Sequence, residues 1–314
     1  MNTMSAKSMI VLMPVYEDVE ASSQLFHNLV HELGDDLFIV AVDDGSVRHP
    51  LTTSSFKNVG ADGVVLRLKR NVGHQRAIAI GMAYVADRIR DNQRLVVMDS
   101  DGEDLPSSMP KLLSQLTDEQ TDVVVAQRLG RVETFRFKVF YSVYKRLFGL
   151  LSGRSISFGN FMALKPAAVK RLAVMQETTI HVAAAVLASK LRISYCPLDR
   201  GPRYAGQSKM NFVGLALHGF KGLMVFAEDV LVRVGITCSA IASASLVGII
   251  AAIVLKLIGF STPGWFSVAL GILVLMLLQT GALSLMTLML TGVVRSGSVT
   301  STIAYRDFID EELT

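Results

Sequence analysis

Leu95-Val96-Val97-Met98-Asp99-Ser100-Asp101-Gly102-Glu103-Asp104-Leu105-Pro106 decides how the rest of the chain is read. Four apolar residues running into polar turn residues describe a buried strand that ends in a loop. At its mouth stand the acidic side chains of Asp99, Asp101, Glu103 and Asp104. In an extended segment alternate side chains share a face, so Asp99, Asp101 and Glu103 are expected to point the same way. Carboxylates that close repel one another unless a cation lies between them. Hard oxygen ligands suit Mg²⁺ or Mn²⁺, which bind through one or two carboxylates and the phosphates of a substrate. Pro106 fits the first turn of a helix. The same stretch also reads, more blandly, as an acidic surface turn capping that helix.

Outward from this stretch the chain alternates. Met9 to Val15 reads as a first strand, closed by Pro14 and Tyr16. Val19 to Leu33 has apolar residues near helical spacing and stops at Gly34. Leu37 to Val42 is a second buried strand, ending in Asp43-Asp44-Gly45-Ser46. Gly63 to Leu68 is a third strand, Gly73 to Asp91 a long helix, and Arg94 to Met98 the strand that ends at Asp99. A helix after Pro106 and a strand over Asp122 to Ala126 follow. This alternation predicts a parallel sheet covered on both faces. Ligands bind such sheets at the carboxyl ends of the strands. Three expected strand ends carry polar clusters: Tyr16-Glu17-Asp18, Asp43-Asp44 and Asp99 to Asp104. That coincidence favours a site over a plain turn.

The third strand leads into Lys69-Arg70-Asn71-Val72-Gly73-His74-Gln75, a basic loop at a helix N-terminus and a good place for phosphate. His74 is expected to line the site, with helix capping or packing as the alternative. After the fifth strand come Arg128, Arg131, Arg136, Lys138, Lys145 and Arg146, the last four in an aromatic-rich helix. Some of these form a solvated face; others suit a phosphorylated ligand. Phe158 to Ala163 is a short strand or turn, and Lys165-Pro166 starts a helix. Thr178 to Lys190 reads as one helix in which His181 is structural, and Leu191 to Cys196 as a strand. Asp199 to Lys209 is a turn-rich loop with three cations, Arg200, Arg203 and Lys209: either a mobile surface loop or a functional one.

Hydrophobic residues make up 51% of the 314, and charged residues only 18%. That is too apolar for an ordinary soluble enzyme. Most charges precede Val234, so a conventional globular part is followed by a greasy one. The net charge of +4 fits a membrane-facing surface or an anionic substrate. No basic-aromatic pattern of a nucleic-acid module is present, and no nucleic-acid partner is expected. Cys196 and Cys238 lack CxxC or metal-ligand spacing and read as small buried residues. Met9 to Val15 leads straight into Tyr16-Glu17-Asp18, which is no signal peptide; the globular part is expected in the cytoplasm.

Val234 to Leu255 and Leu257 to Val294 are free of charge, separated by Lys256. About 20 apolar residues cross a bilayer as a helix. Ser261-Thr262-Pro263-Gly264-Trp265 breaks the second run, so two spanning helices are expected, about 234–258 and 266–294. Met210 to Val232 has an amphipathic pattern and reads as a helix lying in the membrane interface. The domain plan is then 1–209 globular, 210–232 interfacial, 233–295 spanning and 296–314 a C-terminal tail. The flanks of the hairpin hold most of the nearby Arg and Lys, while the turn side holds only Lys256. The positive-inside rule places the globular domain and both termini in the cytoplasm, on a multi-pass protein of the cell (inner) membrane. Small residues from Ser239 to Gly248 permit close helix packing and a homo-oligomer.

Pro14-Val15-Tyr16-Glu17, Val42-Asp43-Asp44-Gly45-Ser46, Arg70 to Gln75 and Asp99-Ser100-Asp101 come in a telling order. The chain resembles the family 2 glycosyltransferases, specifically the polyprenyl-phosphate branch that includes dolichyl-phosphate mannose synthase. The similarity runs from about residue 9 to 230. It implies a Rossmann-like, two-lobed glycosyltransferase fold of the GT-A type. Pro14, Tyr16, Glu17 and Asp44 would hold the base and ribose of a nucleotide-sugar, with Asn71, His74 and Gln75 also on the donor side. Asp99, Asp101 and Glu103 would coordinate a Mg²⁺ or Mn²⁺ bridging the diphosphate. Arg128 and Arg131 would face an acceptor phosphate, and Arg203 and Lys209 would close over the site.

The implied reaction is inverting transfer of a sugar from UDP or GDP to a polyprenyl (undecaprenyl or dolichyl) phosphate, a lipid-phosphate acceptor. A phosphate anion needs no general base. A hydroxyl acceptor would make Asp104 or Glu103 the candidate base. Departures from the family pattern lie on the acceptor or sugar side: Glu103-Asp104-Leu105-Pro106, Gly159-Asn160-Phe161, and Glu177 followed by Thr178-Thr179-Ile180-His181. Two other readings stay open on the residues alone. One keeps the donor but uses a glycan, diacylglycerol or protein as acceptor. The other is a non-catalytic membrane accessory protein, against which intact Asp44, Asp99 and Asp101 argue.

Overall fold

The structure, a computed structural model, describes residues 3–128, 135–205, 212–260, 264–297 and 304–314. The chain forms two compact units, one of residues 1–144, 155–225 and 302–314, the other of 145–154 and 226–301. Strands and helices alternate at first: β1 (Met9–Val15), α1 (Val19–Leu33), β2 (Leu37–Asp43), α2 (Ser54–Lys57), β3 (Asp62–Leu68), α3 (His74–Ala86) and β4 (Arg94–Val97). Then come α4 (Met109–Gln115), β5 (Val123–Arg128), α5 (Phe135–Ser152), β6 (Phe158–Leu164), α6 (Pro166–Ala173), α7 (Glu177–Ile180), α8 (Val182–Ala188), β7 (Ile193–Leu198) and α9 (Phe212–Met224). The long helices α10 (Ala227–Leu257) and α11 (Trp265–Gly297) precede a last strand, β8 (Ile309–Leu313).

The eight strands form one sheet in the order β7-β5-β6-β4-β1-β2-β3-β8. β4, β1, β2 and β3 are parallel neighbours, and β5 is parallel to β7. β6 runs antiparallel to both β4 and β5, and β8 antiparallel to β3. The parallel sheet expected from alternation is therefore a mixed one. An apolar run reads alike in both directions, so residue pattern is blind to strand polarity. β8 covers the β3 edge with Asp310, Glu311 and Glu312, the kind of charged edge that discourages pairing with other chains.

Alternation along each strand splits the core in two. Ile10, Leu12, Val40 and Val42 face Ala77, Ile78 and Ile80 of α3 on one side. Val11, Met13, Ile39 and Ala41 face Leu25, Phe26 and Leu29 of α1 on the other. All of these are buried, each large side chain contributing roughly 1.5–3 kcal/mol.

Two helices expected to be continuous are broken. The stretch Thr178 to Lys190 divides at His181, whose backbone is extended (φ −159°, ψ 106°). Its Nδ1 accepts the Ala184 N–H at 3.2 Å and caps α8. The amphipathic run Met210 to Val232 divides after Met224, so Ala227 to Val232 are the first turns of α10. The tail expected over 296–314 contains the sheet strand β8.

In the second unit α10 and α11 are each long and apolar enough to cross a membrane. The buried residues of α10 are Cys238, Ser245 and Ala252, seven apart along one stripe. Ser239 Oγ and Ser284 Oγ lie 2.7 Å apart across the hairpin, and Lys256 sits over the Phe266 ring. Most of the large apolar side chains on these two helices are exposed. The end of α5 joins them: the Phe148 ring meets Phe226 edge-on, and the Arg233 guanidinium donates to the Leu150 carbonyl.

Candidate active site

Because β4, β1, β2 and β3 run in register and parallel, their carboxyl ends open on one edge. Tyr16-Glu17, Asp43-Asp44, Lys69 to Asn71 and Asp99 all follow these ends. β6 is antiparallel, so its first residues lie on that same edge. Its register with β4 runs to Val97 opposite Met162, and just beyond it Asn160 Nδ2 donates to Asp99 Oδ1 at 3.4 Å.

Two carboxylates fix the floor. Asp43, fully buried, accepts the N–H groups of Ser46 and Leu51. Asp44 accepts the N–H groups of Val72 at 2.7 Å and Gly73 at 3.0 Å, tying the β2 end to the loop before α3. Burial pushes the Asp44 carboxyl up, and those two N–H groups pull it back without cancelling the rise. Gly45 makes the loop crossing feasible, because a Cβ there would fall 2.5 Å from the Arg70 carbonyl carbon. Pro14 is buried in β1, Tyr16 is exposed, and so is Asn71.

Glu17, expected on the donor side, is engaged with the neighbouring loop. Its backbone is left-handed (φ 48°), unusual for a side-chain-bearing residue. Its carboxylate accepts the N–H groups of Val47, Arg48 and His49 at 2.7–2.9 Å, and the N–H of Glu17 donates to Ser46 Oγ. The Arg48 and Val47 N–H bonds hold its carboxyl below the usual range. The side chain thus props up the loop 46–49.

The acidic loop after β4 is folded on itself and clamped from outside. Asp104 is buried and accepts the Asp99 N–H; Asp101 accepts the Glu103 N–H. The segment after β7 lies against it, with Gly201 N–H on the Glu103 carbonyl and Tyr204 N–H on the Asp101 carbonyl. Arg203 Nη2 pairs with Asp101 at 2.5 Å, and Arg200 pairs with Glu103. Gly102 (φ +83°) has the Tyr204 ring where a Cβ would stand, 2.3 Å away. Among the described residues no three His, Cys, Asp or Glu side chains are grouped for a metal. Each of the three carboxylates expected to be ligands has a basic neighbour here: Arg200 on Glu103, Arg203 on Asp101 and His74 by Asp99. Asp99 and Asp101 both act electrostatically on His74 and on Arg200.

On the other side of Asp99 stands a polar knot. His74 Nε2 lies 3.2 Å from Asp99 Oδ1 and 2.9 Å from Asn160 Nδ2. Gln75 Nε2 donates to Asn160 Oδ1, and Gln75 Oε1 accepts the Val182 N–H at 2.6 Å. Lost hydration lowers the His74 imidazole, but Asp99, by charge and hydrogen bond, with Asp101 and Asp44 behind it, leaves it above its ordinary value. Behind the knot the rings of His181 and His218 lie 4.4 Å apart, and burial keeps both below the ordinary histidine range.

Asp43, Arg200 and Asn160, noted in the sequence as a strand-end acid, a loop cation and a departure from the family pattern but given no ligand role, stand in this cluster. Asn160 reaches Asp99 because β6 returns antiparallel beside β4, and Arg200 reaches Glu103 because the segment after β7 folds back over the acidic loop. Arg128 ends β5 opposite Leu198. Arg131 and Lys209 lie outside the described residues.

Carboxylates and backbone N–H groups at the ends of four parallel strands, with cations folded over them, suit an anionic ligand bridged by a cation. The sequence pattern of glycosyl transferase family 2 matches residues 10–172, just over half of the 314. The chain belongs to that family. This glycosyltransferase is 25% identical over 280 residues to an uncharacterized glycosyltransferase, sll0501, of Synechocystis, covering 84% of each chain. A shorter match, 31% identical over 96 residues, joins it to the dodecaprenyl-phosphate galacturonate synthase of Rhizobium johnstonii, covering 30% of this chain and 27% of that one. Its fold is that of glucosyl-3-phosphoglycerate synthase of Mycobacterium tuberculosis, whose structure was solved with Mn²⁺, UDP-glucose and phosphoglyceric acid. That likeness has a TM-score of 0.50 at 16% identity and covers 73% of this glycosyltransferase and 80% of the other chain. The mixed sheet is thus the Rossmann-like GT-A fold, here followed by two apolar helices.

Proposed function

We propose that the protein is a membrane-anchored, metal-dependent inverting glycosyltransferase of the polyprenyl-phosphate branch. It moves a sugar from a UDP- or GDP-sugar to a polyprenyl phosphate at the cytoplasmic face of the cell membrane. The observation that carries this is the path of the chain. Two helices apolar enough to span a bilayer leave the glycosyltransferase domain, and β8 after them rejoins its sheet. The apolar hairpin is thus bracketed in the chain by parts of the glycosyltransferase domain, which fits a catalytic domain tethered to the membrane that holds its acceptor. Arg233 and Arg295 flank the hairpin ends, as the positive-inside rule asks of a cytoplasmic side. The partial relative that acts on a dodecaprenyl phosphate supports the same acceptor class.

The site residues fit the parts of such a reaction. Asp44 shapes the Asn71–Gly73 loop, and Glu17 the 46–49 loop, around a nucleotide. Asp99 and Asp101 fit a divalent cation, Mg²⁺ or Mn²⁺, which needs only one or two carboxylates when a diphosphate supplies the rest. When bound, that ion would neutralise the leaving nucleotide diphosphate. Arg203 and Arg200, folded over the acidic loop, add positive charge on the diphosphate side. His74 and Asn160 hold Asp99 in one orientation. A hydroxyl acceptor would need a free carboxylate as base, yet Asp104 is buried on the Asp99 N–H and Glu103 is paired with Arg200. A phosphate acceptor needs none, so catalysis reduces to positioning and charge compensation.

The test uses the full chain in detergent with Mn²⁺ or Mg²⁺, a polyprenyl phosphate, and a panel of labelled UDP- and GDP-sugars. Label is expected in an organic-extractable, acid-labile product and absent when EDTA is added. Label moving only into water-soluble material would reject the lipid-phosphate acceptor.

A further inference from the structure

The residues after α11 grip one β–loop–α unit at both ends. On the strand side, β8 pairs with β3 through Val65–Leu313, Leu66–Glu312, Arg67–Glu311 and Leu68–Ile309. Arg67 and Glu311 form an ion pair at 2.6 Å. Past the strand, the Lys69 N–H donates to the Phe308 carbonyl and Lys69 Nζ to the Asp307 carbonyl, both at 3.0 Å. The next residues, Arg70 and Asn71, are those that pass over Gly45, and Val72 and Gly73 are those held by Asp44.

On the helix side, Tyr305 is buried against the far end of α3. Its hydroxyl donates to Asp87 at 2.6 Å and accepts from Arg88 at 3.2 Å. The Tyr305 ring meets Tyr84 edge-on, the Arg88 guanidinium lies 3.7 Å over the Tyr84 ring, and the Tyr84 hydroxyl is hydrogen-bonded to Glu312. The strand leading into the Lys69–Gly73 loop and the helix leading out of it are therefore fastened to one short segment. A loop whose two ends are fixed loses less conformational freedom when it closes on a ligand.

We propose that residues 305–313 are a positioning element for the Lys69–Gly73 loop and through it set the affinity for the nucleotide-sugar. This rests on the reading above that the loop lines the donor site. No residue of the segment touches reacting groups, so these are positioning residues. Their loss acts on donor binding ahead of turnover.

Two variants of the full chain in detergent test it. Tyr305→Phe deletes the hydroxyl shared by Asp87 and Arg88; a second chain ends at residue 303. Tyr305→Phe is expected to raise the donor KM about three- to ten-fold with kcat within about two-fold. It is also expected to speed amide hydrogen exchange over 69–73. The shortened chain should show larger changes in both, and a synthetic peptide of residues 304–314 should reverse them saturably. Should the shortened chain not fold, Tyr305→Phe decides. KM and exchange unchanged in Tyr305→Phe overturn the inference, as does a fall in kcat alone, the mark of a merely structural role. A parent chain that transfers no sugar rejects the proposed function, and exchange over 69–73 then decides the inference by itself.

Discussion

Asp44 shows how little of a side chain's task is visible in its identity. As one of two adjacent aspartates it reads as a ligand. In the fold both its oxygens are spent on the Val72 and Gly73 N–H groups, at a cost in hydration that raises its pKa. Asp44→Ala should therefore free the loop and raise the donor KM about ten-fold or more, while Tm falls little. Steady-state kinetics over a donor series checks this. His181 gives a second prediction. Burial, with His218 beside it and Lys221 near, lowers it to about 3 from an ordinary 6.5. The unfolded chain then binds the extra proton between these values, so stability is full above pH 6.5 and drains away as pH falls toward 3. The loss by pH 4 is on the order of 1 kcal/mol or more. His181→Asn keeps an acceptor for the Ala184 N–H and lacks the proton, so it should flatten this acid limb in denaturant titrations.

Elements were legible in the sequence where their cause is local. Met9 to Val15, Leu37 to Val42 and Leu95 to Met98 are apolar runs closed by turn residues, and each is a strand. The break at His181 was not, because the acceptor that stops the helix is an imidazole, a residue rarely read as a cap. Asn160 reads in the sequence only as a departure from the family pattern: its contact with Asp99 depends on the antiparallel return of β6, which no residue pattern encodes. The pairing of Arg200 with Glu103 and of Arg203 with Asp101 joins the acidic loop to a segment far along the chain, which the spacing of the acidic residues alone does not show. The tight fit of that loop against Tyr204 yields a prediction at this scale. Gly102→Ala places a Cβ against the Tyr204 ring at a φ of +83°. Strain of about 1–3 kcal/mol is expected there. Activity should fall more than Tm, because the displaced segment carries Arg200 and Arg203. Thermal melts and rates measured side by side distinguish the two effects.

The whole molecule combines a glycosyltransferase domain with an apolar hairpin that is inserted in the chain between α9 and β8 of that domain. In the proposed orientation, Gly259→Cys at the hairpin turn should react with a membrane-impermeant maleimide added to intact cells. Thr314→Cys should react only after the membrane is permeabilised. The reverse pattern would invert the topology, and labelling of both from outside would reject a spanning hairpin.

The position of β8 also orders the protein's birth. Chains emerge from the ribosome at about 5–20 residues per second, and N-terminal parts fold first. Seven strands are complete by Leu198, but the eighth is made only after both greasy helices have been synthesised. During that interval β3 stands at the rim of an unfinished sheet. A nascent polypeptide released before Ile309–Leu313 would hold the family's chemistry on an unsealed scaffold. The sheet closes only when both apolar helices already exist.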